Sequence, residues 1–240
     1  TGMVEELVRE QIDDIPEPPS SLYLRPTLIG TLPNIGAAAA PSTEATRFVL
    51  ASPVGDDFAG GARPLKLIVA DTFARSNEQL GSTNTGGNYA AALGPTLDAK
   101  EKFVVDHVLF CPGGDVLETG AANFLLISDV ELITKPLNTS FLHGMTRASI
   151  LALAKDLGYR VSERDFTVAE LLDWVGSYEA ALSGTAATLT PVGTLVYNGE
   201  EVPVRDGSAG PNTEKLRKAL QAIQYGDAPD THGWLTEVSV

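Results

Sequence analysis

The sequence predicts a mixed α/β chain in two parts: a smaller α/β part over residues 1–72 and a larger part over 84–240, joined by a linker at 73–83. Three observations predict this. Short apolar runs with strand-like alternation are interleaved with segments of helical period. The stretch "FARSNEQLGSTNTGG" is polar and glycine-rich, the best candidate for a break between parts. The length of 240 residues, 43% hydrophobic and 20% charged, suits one large domain or two modest ones.

The elements follow in order. "GMVEELVREQID" carries apolar residues at helical spacing and reads as a short helix, and "IPEPPSS" breaks it. "SLYLRPTLIG" alternates Leu22 and Leu24 against Tyr23 and Arg25, a strand in which Pro26 demands an edge or a bulge. "TRFVLASPVG" and "PLKLIVADT" read as two more strands of the small part. Beyond the linker, "NYAAALGPTLDAKEKF" is helical, with an interruption expected at Gly94-Pro95. "DHVLFCPGGDVLET" is strand, turn and strand, and "NFLLISDVELITK" is a hairpin around Ser128-Asp129. "TRASILALAKDLGY" is an amphipathic helix ended by Gly158. "VSERDFTVAELLDWV" is a strand and a helix, "YEAALSGTAATLTPVGTLVYNGEEVPV" is strand-rich, and "NTEKLRKALQAIQYG" is a closing helix. No internal repeat is present, and low complexity is confined to "GAAAAP".

Composition removes several function classes. The net charge is -14 and no Lys/Arg run stands out, which speaks against a nucleic-acid partner or an anionic membrane surface. Cys111 is the only cysteine, so no disulfide can form within one chain. His107, His143 and His232 lie far apart, so no metal site is expected. No apolar run is long enough to span a bilayer. One cysteine fits a reducing compartment, and the cytoplasm is the expected location. The chain starts at Thr1-Gly2 rather than Met, which reads as a processed or cut product, and an organelle-targeting peptide upstream stays open.

Eight segments, in order and nearly spanning the chain, carry a resemblance: "SLYLRPTLIG", "GGNYAAAL", "DHVLF", "LETGAANFLLI", "LHGMTRASILALAKDLGYRVSER", "LSGTAATLTPVG", "GPNTEKLRKALQAIQYG" and "DTHGWL". Together they resemble the branched-chain amino acid aminotransferases, which are fold-type IV pyridoxal-phosphate enzymes. The resemblance implies two domains, the larger with a barrel-like sheet. It implies a homodimer with the pocket near the subunit interface. It also implies amino-group transfer between a hydrophobic amino acid and 2-oxoglutarate. The family chain is longer at its N-terminus, where it carries an arginine for the cofactor phosphate.

The resemblance assigns roles residue by residue. Glu118 matches the carboxylate that keeps the pyridine nitrogen protonated, as an opposite charge favours the charged form. Taken alone, Glu118 reads as a solvated loop acid. Met145 and Thr146 match phosphate contacts at a helix N-terminus. Simple N-capping by Thr146 explains the same residues. Thr185 matches a second phosphate contact, and the Ala186-Ala187 amides match contacts to the substrate carboxylate. Tyr89 matches the tyrosine at the ring oxygen, with a core aromatic as the plain alternative. Tyr23 and Arg25 match the substrate side, where an arginine grips a carboxylate in two-pronged fashion. Without the resemblance, Arg25 is an edge-strand charge facing water.

The catalytic position departs from the family. The pattern Lys-x-Gly-Gly-Asn-Tyr here reads Asn84-Thr85-Gly86-Gly87-Asn88-Tyr89. The family lysine forms a Schiff base with the cofactor and shuttles the proton, and both tasks need a primary amine. An amide nitrogen is neither nucleophilic nor titratable. Lys100 and Lys102 lie too far along the helix to substitute. The cofactor, as pyridoxal or pyridoxamine phosphate, is therefore expected to be held non-covalently, and a site without it is nearly as well supported. Three accounts of Asn84 stand: deliberate replacement, a natural relative that has lost transamination, or a misassigned residue. The competing function is a cofactor-independent enzyme or binding protein on the same scaffold.

Overall fold

The computed structural model describes residues 2–18, 20–36, 40–55, 63–186 and 188–239. The chain packs as two compact units, Thr1–Ala59 with Asp230–Val240, and Gly60–Pro229. No helix among the described residues is long and apolar enough to cross a membrane.

The smaller unit contains α1 (Gly2–Glu10) and an antiparallel pair, β1 (Ser21–Gly30) and β2 (Ala45–Val54). Pro26 lies opposite Val49 with no break in register, so no bulge is needed. A strand with one free side tolerates a residue that has no N–H. Residues i and i+2 of a strand share a face, so Tyr23 and Arg25 do too. Arg25 Nη2 donates to the Tyr23 hydroxyl at 2.7 Å.

The larger unit contains β3 (Leu65–Ala70), α2 (Gly86–Phe103), β4 (His107–Phe110), β5 (Asn123–Ile127), β6 (Glu131–Thr134) and α3 (Met145–Asp156). It continues with β7 (Arg160–Glu163), α4 (Val168–Val175), β8 (Glu179–Gly184), β9 (Thr188–Tyr197), β10 (Glu200–Pro203) and α5 (Pro211–Gln224). Among the described residues the strands form one mixed sheet in the order β4-β3-β9-β8-β5-β6-β7, with β10 added to β9. The sheet also folds back on itself. Phe110 N–H donates to Glu118 O and Leu117 N–H to Phe110 O, and bridges join Leu109 to Thr119 and Glu118 to Asn123. These links run from β4 through residues 117–119 to β5. The strands β4, β3, β9, β8 and β5 thus close into the barrel-like arrangement that the resemblance implies.

Three sequence expectations are corrected here. β3 belongs to the large sheet, where it pairs in parallel with both β4 and β9. In packing terms the division therefore falls before β3, and residues 73–83 lie within the larger unit. Polarity and glycine content made that stretch look like a linker, but Arg75 and Ser76 are buried and Gly81 packs on the Ser140 backbone. The helix α2 runs unbroken through Gly94-Pro95. The proline removes the donor to Ala91 O, and Ala91 is exposed, so water can satisfy that carbonyl.

Helix positions are set locally. Thr167 caps α4 by accepting from Glu170 N–H, and Val168, Leu171 and Val175 enter the core with Phe124, Leu126 and Leu195. α5 is capped from another element. Glu179, at the start of β8 and 4% exposed, accepts from Asn212 N–H at 3.0 Å and from Thr213 N–H and Oγ1 at 2.7 Å each. A carboxylate at a helix N-terminus is favoured by the dipole and by the free amides. A Cβ at Gly210 would collide with this carboxyl. Glu179→Ala is expected to cost about 2–3 kcal/mol, the range for losing charged hydrogen bonds at a buried site. Gly210→Ala should destabilise in the same direction, and denaturant unfolding of both variants measures these losses.

Candidate active site

The site is built around Asn123, the first residue of β5. Its Nδ2 donates to Glu118 Oε2 at 2.8 Å and to Leu142 O at 2.9 Å. Its backbone pairs with Ser183 of β8, one residue before Gly184 and the Thr185 turn. Its Oδ1 occupies the space into which a Cβ at Gly144 would point. One amide thus ties together the Glu118 loop and the loop before α3, and its backbone holds the end of β8. The turn 119–122 between Glu118 and Asn123 is closed by Thr119, whose Oγ1 lies 3.1 Å from both Ala122 N and Ala122 O.

Glu118 is 2% exposed. Its Oε1 lies 2.6 Å from Arg75 Nη1, itself in a residue 3% exposed, yet neither atom has an aligned hydrogen-bond partner. Burial pushes the Glu118 carboxyl up to about 8, against the opposing pull of Arg75, the Leu142 amide and Asn123. Arg75 Nε donates to Gly120 O at 3.2 Å, and its guanidinium carbon lies 5.9 Å from the centre of the Tyr89 ring. Glu118 and Tyr89 are therefore joined through Arg75. Tyr89 is 40% exposed, so it is not a core aromatic.

Asn84 is exposed and stands just before the α2 cap, Thr85. The loop that carries it is fixed. Asn88 Nδ2 donates to Leu80 O and Thr83 O at 2.7 and 2.8 Å, and Ser82 N–H donates to Thr139 O. This last bond stitches the Asn84 loop to the segment that leads into α3.

At α3 the N-cap is Gly144, with no side-chain cap. Thr146 is the second residue inside the helix, so it is not the capping residue, and the first-turn amides stay available. Met145 is exposed and Thr146 half-buried, whereas Arg147 turns inward to bond Lys135 O and Glu163. Thr185 and Ala186 are exposed in the turn after Gly184, which packs on Ala122 Cβ and Ala121 O. Ala187 lies outside the described residues. Tyr23 and Arg25 belong to the smaller unit, where they contact each other.

Chemically, the arrangement suits a cationic ring bearing a phosphate. Oε1 of Glu118 is ion-paired with Arg75 without an aligned hydrogen bond, and a carboxylate there suits a protonated ring nitrogen. The bare α3 N-terminus suits an anion. Residue 84 itself carries an amide and no amine. Sequence reasoning missed Arg75, Asn88 and Asn123. Arg75 sat in an apparent linker, and the two asparagines sat inside quoted motifs with no partner legible from spacing.

A stability consequence follows from Glu118. In the unfolded chain its carboxyl ionises near the ordinary 4.5, whereas in the fold it ionises near 8. The folded state therefore binds the extra proton between these values, and its stability falls as pH rises through that window. In ligand-free protein, denaturant midpoints are expected to drop from about pH 5 to about pH 8, with a shallower drop in Glu118→Gln.

A model of the amino-transferase class IV family matches residues 3–195. The chain is 36% identical over 227 residues to branched-chain-amino-acid aminotransferase 2 of Bacillus subtilis (strain 168), covering 92% of this chain and 62% of that protein. It is 35% identical over 240 residues to the probable branched-chain-amino-acid aminotransferase of Staphylococcus aureus (strain N315), covering 96% and 66%. The chain thus spans less than two thirds of the length of either relative. Among solved structures, the T.th. branched-chain amino acid aminotransferase with pyridoxamine 5'-phosphate superposes with a TM-score of 0.82 at 27% identity, covering 98% and 74%. The Thermoproteus uzoniensis branched-chain aminotransferase with norvaline gives 0.81 at 26%, covering 98% and 74%.

Proposed function

Since the chain belongs to the amino-transferase class IV family, we propose that it is a branched-chain aminotransferase-like protein whose site holds pyridoxal or pyridoxamine phosphate without a covalent bond, and whose amino-transfer chemistry is disabled at residue 84. The observation that carries this reading is an intact surround with the wrong group in it. Glu118, Tyr89 and the open α3 amides suit the cofactor, and Asn84 stands where an amine is needed.

Bound cofactor supplies an electron sink for a carbon losing its proton. The chain's residues would divide the remaining work. Glu118 would hold the ring nitrogen in its protonated form, as a buried carboxylate favours a neighbouring cation. Tyr89 would hold the ring oxygen. Met145, Thr146 and Thr185 would hold the phosphate through amides and hydroxyls. Ala186 and Ala187 would offer amides to a substrate carboxylate, with Tyr23 and Arg25 on the substrate side. Asn84 would do neither of the lysine's two jobs, attack and proton transfer. The substrates are a hydrophobic amino acid and 2-oxoglutarate, the working unit a homodimer, and the location cytoplasmic. These rest on the family resemblance and, for the location, on the single cysteine. The domain division of the sequence reading, with 73–83 as a linker, is kept only as a functional proposal.

The test is Asn84→Lys. The protein as written should give negligible transamination of leucine with 2-oxoglutarate. The lysine variant should gain at least about 10²–10⁴-fold, the share that acid–base catalysis alone contributes. It should also gain an absorption band that the parent lacks. A variant that binds cofactor but stays inactive would favour the second reading, a repurposed binding protein or cofactor-independent enzyme. That reading is favoured by Asn84 itself. Appreciable turnover by the parent would overturn the proposal.

A further inference from the structure

The cofactor reading uses Glu118 but leaves Arg75 without a role. Arg75 follows β3 on the loop toward α2, and its guanidinium makes three contacts. Nη1 lies 2.6 Å from Glu118 Oε1, Nε donates to Gly120 O at 3.2 Å, and the carbon sits 5.9 Å from the Tyr89 ring centre. The residue is 3% exposed. A buried cation is costly unless it is paired, and a buried carboxyl with no cation beside it stays neutral. The charge of Glu118 therefore depends on Arg75, which pulls against its burial. The pair is also incompletely satisfied, since Nη1 and Oε1 touch without an aligned hydrogen bond. Oε1 faces the guanidinium, while Oε2 is held by Asn123.

We propose that Arg75 is a positioning residue: its guanidinium, which also faces the Tyr89 ring, holds the Oε1 edge of Glu118 and keeps that carboxyl ionisable inside the closed sheet, so that it is available to a ligand carrying a protonated ring nitrogen. The choice of ligand rests on the cofactor reading above, whereas the effect on Glu118 belongs to the ligand-free protein. The groups that face Glu118 come from three other segments: Arg75 from the loop after β3, Asn123 from β5, and the Leu142 amide from the loop before α3. Among these Arg75 is the charged one. Removing it leaves burial opposed only by neutral donors, and the carboxyl stays protonated to higher pH. Lysine at 75 keeps the charge but loses the planar fork that reaches Gly120 and lies near Tyr89.

The decisive measurement is the titration of Glu118 in ligand-free protein. Its acid carbonyl band is followed by difference infrared spectroscopy from about pH 5 to about pH 10 and assigned with Glu118→Gln. Arg75→Gln should raise the midpoint by about one unit or more, the usual effect of a neighbouring opposite charge. Arg75→Met keeps the apolar stem and should shift it the same way, so misfolding of one variant does not leave the question open. Arg75→Lys should bring the midpoint back toward that of the parent. A second readout uses ring-15N pyridoxamine 5'-phosphate. The parent should hold the ring nitrogen protonated, and the charge-removing variants should lose that protonation and bind about tenfold or more weakly. An unchanged Glu118 midpoint in the folded Gln or Met variant overturns the proposal and leaves Arg75 a packing residue. A shifted midpoint without any pyridoxamine 5'-phosphate binding by the parent supports the role of Arg75 and sinks the cofactor reading instead.

Discussion

The site depends on one buried amide. Asn123 opens β5 at the point where the sheet closes on itself, and both of its side-chain donors are spent, on Glu118 and on Leu142 O. A buried polar group left unpaired costs about 1–3 kcal/mol. The Glu118 turn and the loop into α3 are therefore held where they satisfy it. The same side chain fills the space beside Gly144, which excludes a larger cap and leaves the first α3 amides bare. The positions of the Glu118 turn and of the α3 N-terminus thus share one residue with no reactive group of its own.

Around that amide the interior holds an arginine and a carboxyl in contact. Arg75 and Glu118 are almost fully buried, and removing either partner strands the other in a medium that disfavours charge. Their contact links the closed end of the sheet to Tyr89 at the start of α2. The loop with Asn84 is fixed independently, by Asn88 from within α2 and by the Thr139 carbonyl. Scaffold and chemistry are therefore separable here. Many residues enforce the shape, and residue 84, which carries an amide, is not among those whose bonds hold the loop.

Much was legible before any coordinates. Strand alternation located β1, and β4, β5 and β8 were also read as strands. The Ser128-Asp129 turn joins β5 and β6 as read, closed by Ser128 N–H to Glu131 O. Gly158, at φ +87, ends α3 as its position suggested. Each of these is a local matter, decided by which face a residue shows and which backbone angles it tolerates. Where sequence reading failed, a distant partner decided. Polar residues 73–83 suggested a linker until Arg75 met Glu118 and Gly81 met Ser140. The sequence also placed β3 with the small part, but parallel pairing with β4 and β9 placed it in the large sheet.

By itself the sequence determined the element types, their order, the family to which they belong and the absence of an amine at residue 84, because all of these are written in side-chain chemistry along a line. Only the tertiary structure decided that Glu118 is buried rather than solvated, that Arg75 is its counter-ion, and that Gly144 rather than Thr146 caps α3. The reason is physical. Burial, charge pairing and the space for a Cβ are set by groups far apart in the chain, which come together only when the sheet closes.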